Sequence, residues 1–122
     1  MKARTLAMAL AMAVMLYAPA FAASYTGWIT DAKCNIGLGK APNDAGHSGC
    51  AESCIKTGGP VGLQTADGKL YLLAPSGDPK NLTSFRTKLA AMAGKKVTVN
   101  GTIKSKGGTS ILFVDGDPTP AK

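Results

Sequence analysis

Histidine is nearly missing from this chain: His47 is the single one in 122 residues. Carboxylates are few as well, seven in all. Asp31, Asp44, Glu52, Asp67, Asp78, Asp115 and Asp117 show no paired arrangement suited to acid–base work. Several stand beside glycine, where aspartate serves turns. Neither Cys-x-x-Cys nor Cys-x-x-Cys-His occurs, which excludes a thioredoxin-type redox motif and c-type haem attachment. A Cys-His pair could supply a nucleophile, but no oxyanion motif or orienting third residue accompanies it. These absences argue against an enzyme. Nucleic acid is not an expected partner either, because no nucleic-acid motif appears and the basic residues are scattered rather than clustered. Aromatic residues make up only 6% of the chain while glycine numbers 15, a balance that suits short strands joined by tight turns.

The one long apolar run stands at the N-terminus. Lys2 and Arg4 precede an apolar stretch from Leu6 to Tyr17, and Ala20-Phe21-Ala22 places small residues where a signal peptidase reads. Residues 1–22 are therefore expected to be a cleavable secretory signal, and residues 23–122 one soluble domain in the periplasm or outside the cell. The run falls short of the roughly 20 residues that a spanning helix needs. A lipid anchor requires a cysteine at the cleavage point, and the first cysteine is Cys34. No membrane anchor is expected after cleavage. Of 14 basic residues, Lys2 and Arg4 leave with the signal, so 12 remain against 7 acidic ones, a net +5. Met1, Met8, Met12 and Met15 leave too, and the lone Met92 excludes a methionine-rich metal surface.

Tyr25 to Thr30 is aromatic and β-branched and reads as a first strand, with Trp28 in the core. From about 32 to 60 the chain turns polar and glycine-rich, with a short helix possible at Gly49 to Lys56 that Ser48 can cap and Gly58 can stop. Val61 to Thr65 and Lys69 to Leu73 flank Asp67-Gly68, a strong hairpin signal. Leu82, Phe85, Leu89 and Met92 recur at helical spacing as a core stripe, between a capping Asn81 and a terminating Gly94. Val97, Val99 and Ile103 alternate with polar residues, Lys106-Gly107-Gly108 turns the chain, and Ile111 and Phe113 resume the alternation. The tail after Asp117 reads as loose. This order predicts an all-β domain with one helix, a small five-stranded OB-fold-like barrel, with an SH3-like barrel as the alternative.

Thr26-Gly27-Trp28-Ile29-Thr30-Asp31 running into Cys34, then His47, Cys50-Ala51-x-x-Cys54-Ile55-Lys56-x-Gly58 and Asp67-Gly68-Lys69-x-Tyr71 carry a family likeness. The chain resembles bacterial secreted proteins of uncharacterised function that share an OB-fold-like core, an N-terminal TGWI-x-D strand and a Cys/His loop. The likeness spans nearly all of residues 23–122. It implies a fold and a compartment and carries no activity or ligand.

Cys34, His47, Cys50 and Cys54 form C-x12-H-x2-C-x3-C. Three thiols and an imidazole are a complete tetrahedral set for zinc, and thiolates with histidine also suit cuprous copper. A helix over Gly49 to Lys56 sets Cys50 and Cys54 one turn apart on a single face, and its start favours thiolate over thiol. Against this stands the oxidising compartment, which turns cysteines into disulfides. Cys34 paired to Cys50 or Cys54 ties the loop to the first strand, whereas Cys50 to Cys54 across one helical turn is the poorer geometry. Three is an odd number, so one thiol stays free, joins a second chain in a disulfide-linked dimer, or binds a ligand with His47. The expectation is a binding module with a transition-metal site at Cys34, His47, Cys50 and Cys54, zinc before copper. The competing class is a disulfide-stapled structural or protein-interaction domain without metal, monomeric or dimeric, whose partner is a protein or small ligand.

Overall fold

A computed structural model describes residues 22–77 and 79–122. The expected signal segment, Ala22 apart, and Asp78 lie outside the described residues. The aromatic and β-branched run near the start forms β1 (Ala23–Asp31). Two helices follow, α1 (Ala32–Leu38) and α2 (Ser48–Lys56), then the hairpin strands β2 (Val61–Gln64) and β3 (Leu70–Pro75). A 3-10 turn (Pro79–Asn81) leads into α3 (Leu82–Ala90). β4 (Lys96–Lys106), β5 (Thr109–Val114) and the two-residue β6 (Thr119–Pro120) complete the described chain.

The sheet order is β1-β2-β3-β5-β4-β6, and an added β1–β4 pairing closes the first five strands into a mixed barrel. All neighbours are antiparallel except β3 and β5, which run parallel with Leu72 beside Ile111. β1 closes the ring by serving two partners: Ala23 to Trp28 pair with β4, and Trp28 to Asp31 pair with β2. Gly27 stands where the strand changes partner, and a Cβ there would collide with the Gln64 carbonyl. Only glycine lets the two backbones approach so closely.

The core is built from Ile29, Leu63, Val97, Val99, Leu112 and Val114 of the strands, closed by Leu89 and Ala90 of α3 and by Ala51 and Ile55 of α2. The helix stripe is partly as expected: Leu89 is buried, Phe85 and Met92 pack against the core, and Leu82 is 45% exposed. Asn81 precedes α3 without a side-chain cap bond. The fold expectation named one helix, with a short second one possible at Gly49 to Lys56; the described residues hold three α-helices, because α1 joins α2 in the long β1–β2 connection. Trp28 lies outside the buried core, half-buried with Lys96 Nζ 5.5 Å from its ring centroid. The tail is not wholly loose, since Thr119 and Pro120 pair with Thr98 and Val97.

The inward residues of β5 are Leu112 and Val114, not Ile111 and Phe113. The reason is register, which sets Leu112 opposite Ile103 and Val114 opposite Gly101. With Ile111 to Val114 all apolar, alternation cannot tell which pair faces in. No helix of the described residues is long and apolar enough to cross a membrane.

Candidate metal centre

β1 ends inside the barrel wall on Asp31, which is fully buried. Its backbone is still extended there (φ −77°, ψ 112°), and its side chain caps α1 by accepting a hydrogen bond from the Lys33 amide at 3.1 Å. The Ala32 amide meanwhile donates to the Pro60 carbonyl at 2.9 Å, holding the start of α1 against the end of the connection. Cys34 therefore lies in the first turn of a helix pinned at its origin. Asn35 Nδ2 holds the same helix to β2 by donating to Gln64 Oε1 at 2.7 Å. The helix ends on Gly39, whose φ of 61° is the left-handed conformation that glycine tolerates.

α2 carries the other two cysteines. It begins at Ser48, one residue before the expected start, so His47 and not Ser48 occupies the N-cap position, without a side-chain cap bond. Ala51 and Ile55 face the core, and Cys50 and Cys54 each precede one of them by one residue. They stand one turn apart on the neighbouring face. The helix stops at Thr57, and Gly58 (φ 110°) turns the chain so that the Gly59 amide donates to the Cys54 carbonyl at 2.8 Å. Arg86 of α3 reaches this end, donating from Nη2 to the Ile55 carbonyl at 2.8 Å and to the Gly59 carbonyl. A cation at a helix C-terminus satisfies carbonyls that the helix itself leaves open.

The Sγ atoms of Cys34, Cys50 and Cys54 all lie within 4.8 Å of one another, and all three thiols are free. Cys34 thus meets the Cys50–Cys54 pair of α2 because α1 and α2 are both anchored at one end of the barrel. Cys50 is exposed, and Cys34 and Cys54 are half-buried, so the cluster opens to solvent on one side. His47 is outside this group. It lies at the start of α2, 5% exposed, with Nε2 buried and without a hydrogen-bond partner.

Electrostatics at the cluster are dominated by Asp31. Its carboxylate accepts a hydrogen bond from the Cys34 thiol, and this, with partial burial and the nearby negative charge, pushes Cys34 up to about 11. Cys54 is also pushed up, first by burial and then by the charge of Asp31 and the neighbouring Cys50. The expectation that the start of the helix over Gly49 to Lys56 favours thiolate does not extend to Cys54, whose thiol is favoured first by burial and then by the nearby negative charge. Metal-free, Cys34 and Cys54 are held as thiols at neutral pH. A cation entering the cluster has to displace their protons, the usual coupling of metal binding to pH.

Asp31, like His47, is outside the cysteine group, but its charge acts on Cys34 and Cys54, and sequence reasoning passed it over as an unpaired carboxylate. Its signal was positional: it closes an apolar strand and stands three residues before Cys34. No protein-family model, curated protein or solved structure matches this chain.

Proposed function

We propose that residues 23–122 form a secreted or periplasmic binding module, not an enzyme, that holds a transition-metal ion at Cys34, Cys50 and Cys54, zinc before copper. The observation that carries this is the convergence of three free thiols from two helices within 4.8 Å. Thiolates are ligands for zinc and for cuprous copper, and zinc takes four ligands, which leaves one position beyond the three sulfurs. Export is supported by the basic start, the apolar run and Ala20-Phe21-Ala22.

The fold reading is an OB-fold-like barrel. It is supported by the closed β1-β2-β3-β5-β4 ring and by α3 between β3 and β4, a placement that favours it over an SH3-like barrel. In OB-folds the β2–β3 face and the β1–β2 and β4–β5 loops bind ligands, and here the β1–β2 connection carries all three cysteines.

Intact-mass spectrometry of protein prepared without chelator or reductant tests the metal reading. One zinc-sized increment under native conditions, lost on denaturation to leave three free thiols and absent when Cys34, Cys50 and Cys54 are all serine, is the expected result. A metal-free mass two hydrogens short of the reduced chain would replace it with the disulfide-stapled module. A protein-interaction role is the second reading, favoured by the outer barrel face, where half-buried Leu72, Ile111 and Phe113 lie beside Lys104.

A further inference from the structure

The cysteine group has a definite count. Among the described residues it brings together three ligand atoms, the Sγ atoms of Cys34, Cys50 and Cys54, and neither His47 nor Asp31 belongs to it. The sulfurs lie within 4.8 Å of one another, none is tied up in a disulfide, and Cys50 is exposed. The group is thus a three-sulfur face with its remaining side toward solvent. Charge adds a second constraint. Asp31 is fully buried and caps the helix that carries Cys34. A Cβ placed on Gly59 would stand 3.5 Å from Asp31 Oδ1 and 2.8 Å from the Cys54 carbonyl oxygen, so the carboxylate also borders the turn that ends α2. Excess negative charge on the sulfurs is costly beside a buried carboxylate. Three thiolates around a divalent ion keep one negative charge, whereas three around a trivalent ion keep none.

Trivalent arsenic meets both constraints. It is a soft centre suited to sulfur donors, and it forms three bonds in a pyramid whose fourth corner holds its lone pair. Zinc needs a fourth ligand from beyond the three cysteines, and arsenic does not. In neutral water trivalent arsenic is the uncharged arsenous acid, As(OH)3, and ordinary thiols are protonated. Each As–O bond then gives way to an As–S bond, and the thiol proton leaves with the hydroxide as water. Three thiols and one arsenous acid become one arsenic trithiolate and three waters. Arsenic stays trivalent and no sulfur is oxidised, so the exchange needs no further reactant.

Resting on the reading of Cys34, Cys50 and Cys54 as one ligand group, we propose that these three sulfurs are a binding site for trivalent arsenic, taken up from arsenous acid as an uncharged three-coordinate trithiolate.

Intact-mass spectrometry and arsenic K-edge X-ray absorption test the assignment on the full protein, reduced, freed of reductant and given arsenite. The expected mass gains one arsenic and loses three hydrogens, and the expected spectrum has three sulfurs and no oxygen bound to arsenic. Cys34→Ser, Cys50→Ser and Cys54→Ser each leave two thiols, and each is expected to bind arsenite at least about tenfold more weakly, since one tethered donor is lost. Full affinity in any one of these variants, or oxygen on arsenic in the wild type, overturns the three-sulfur site. Zinc titration of the same preparations separates this inference from the reading on which it rests. Zinc bound with arsenite refused overturns the arsenic site and leaves the metal reading standing, and neither bound overturns the ligand group itself. Arsenite bound with zinc refused supports the arsenic site and removes the zinc reading. Should the serine variants fail to fold, the sulfur count in the wild-type spectrum decides alone.

Discussion

The barrel and the β1–β2 connection are held by different forces. In the barrel, hydrogen-bonded ladders close on themselves around Ile29, Leu63, Val97, Val99 and Leu112, all essentially inaccessible to solvent. The connection contributes only Ala51 and Ile55 of α2 to that core, with Ala32 buried at the start of α1. Ile36 and Leu38 stand 72% and 69% exposed. Beyond those few apolar residues, what keeps the connection in place is polar: the Asp31 cap, the Asn35–Gln64 bond and the Arg86 clamp. A region fixed by a few polar contacts to a rigid wall can rearrange its ligands without endangering the fold. That is a suitable setting for a site that gains and loses an ion.

The contrast breaks first at the core. Leu112→Ala removes a fully buried side chain from the barrel wall and is expected to cost about 3 kcal/mol in urea denaturation. A loss below about 1 kcal/mol would mean that the wall is less tightly packed than its burial indicates. Arg86→Ala should act more locally, with a loss of about 2 kcal/mol from two carbonyls deprived of a charged donor. Hydrogen exchange should then accelerate across α2 before it does in β4, and uniform acceleration would show that the two regions unfold together.

The next effect concerns pH. Because Cys34 is held as a thiol up to about 11, zinc affinity should climb as pH rises from 6 toward 8, by about tenfold per pH unit for each proton displaced. Isothermal titration in buffers of different ionisation enthalpy counts those protons, and a flat profile would mean that the thiols are already ionised. The raised value also has a sign for metal-free stability. The protonated thiol is favoured by the fold, so that contribution is complete below the ordinary thiol range and fades as pH climbs through about 11. Iodoacetamide should accordingly label Cys34 slowly at neutral pH, and faster in Asp31→Asn. The smallest effect is expected at the exposed Glu52–Lys56 pair on α2, where Glu52→Gln should leave the melting temperature within the scatter of replicate scans.

Much of the barrel was legible because local chemistry and global fold agree there. Asp67-Gly68 and Gly107-Gly108 turn the chain where expected, with positive φ at Gly68, Gly107 and Gly108. The facing of β5 was not legible, since Ile111, Leu112, Phe113 and Val114 give both faces an apolar residue and only pairing with β4 decides. α1 was missed because its seven residues, Ala32–Leu38, include Gly37 and present no apolar stripe, so its existence depends on the Asp31 cap and the Ala32–Pro60 bond. At the candidate centre the three cysteines were readable from spacing alone. The position of His47 outside their group, and the charge of Asp31 acting on Cys34 and Cys54, depend on where helices and strands end in three dimensions.

β1 is the earliest described strand, yet its first half pairs with β4, with Ala23 opposite Gly101. Ring closure must therefore wait until nearly the whole chain is available, and a contact of such long sequence separation makes for slow folding. Cys34, Cys50 and Cys54 all lie earlier than β4, so during synthesis they emerge before the wall that anchors α1 and α2 can shut. The thiols spend that interval in an unfinished chain, before the fold that gathers them is complete.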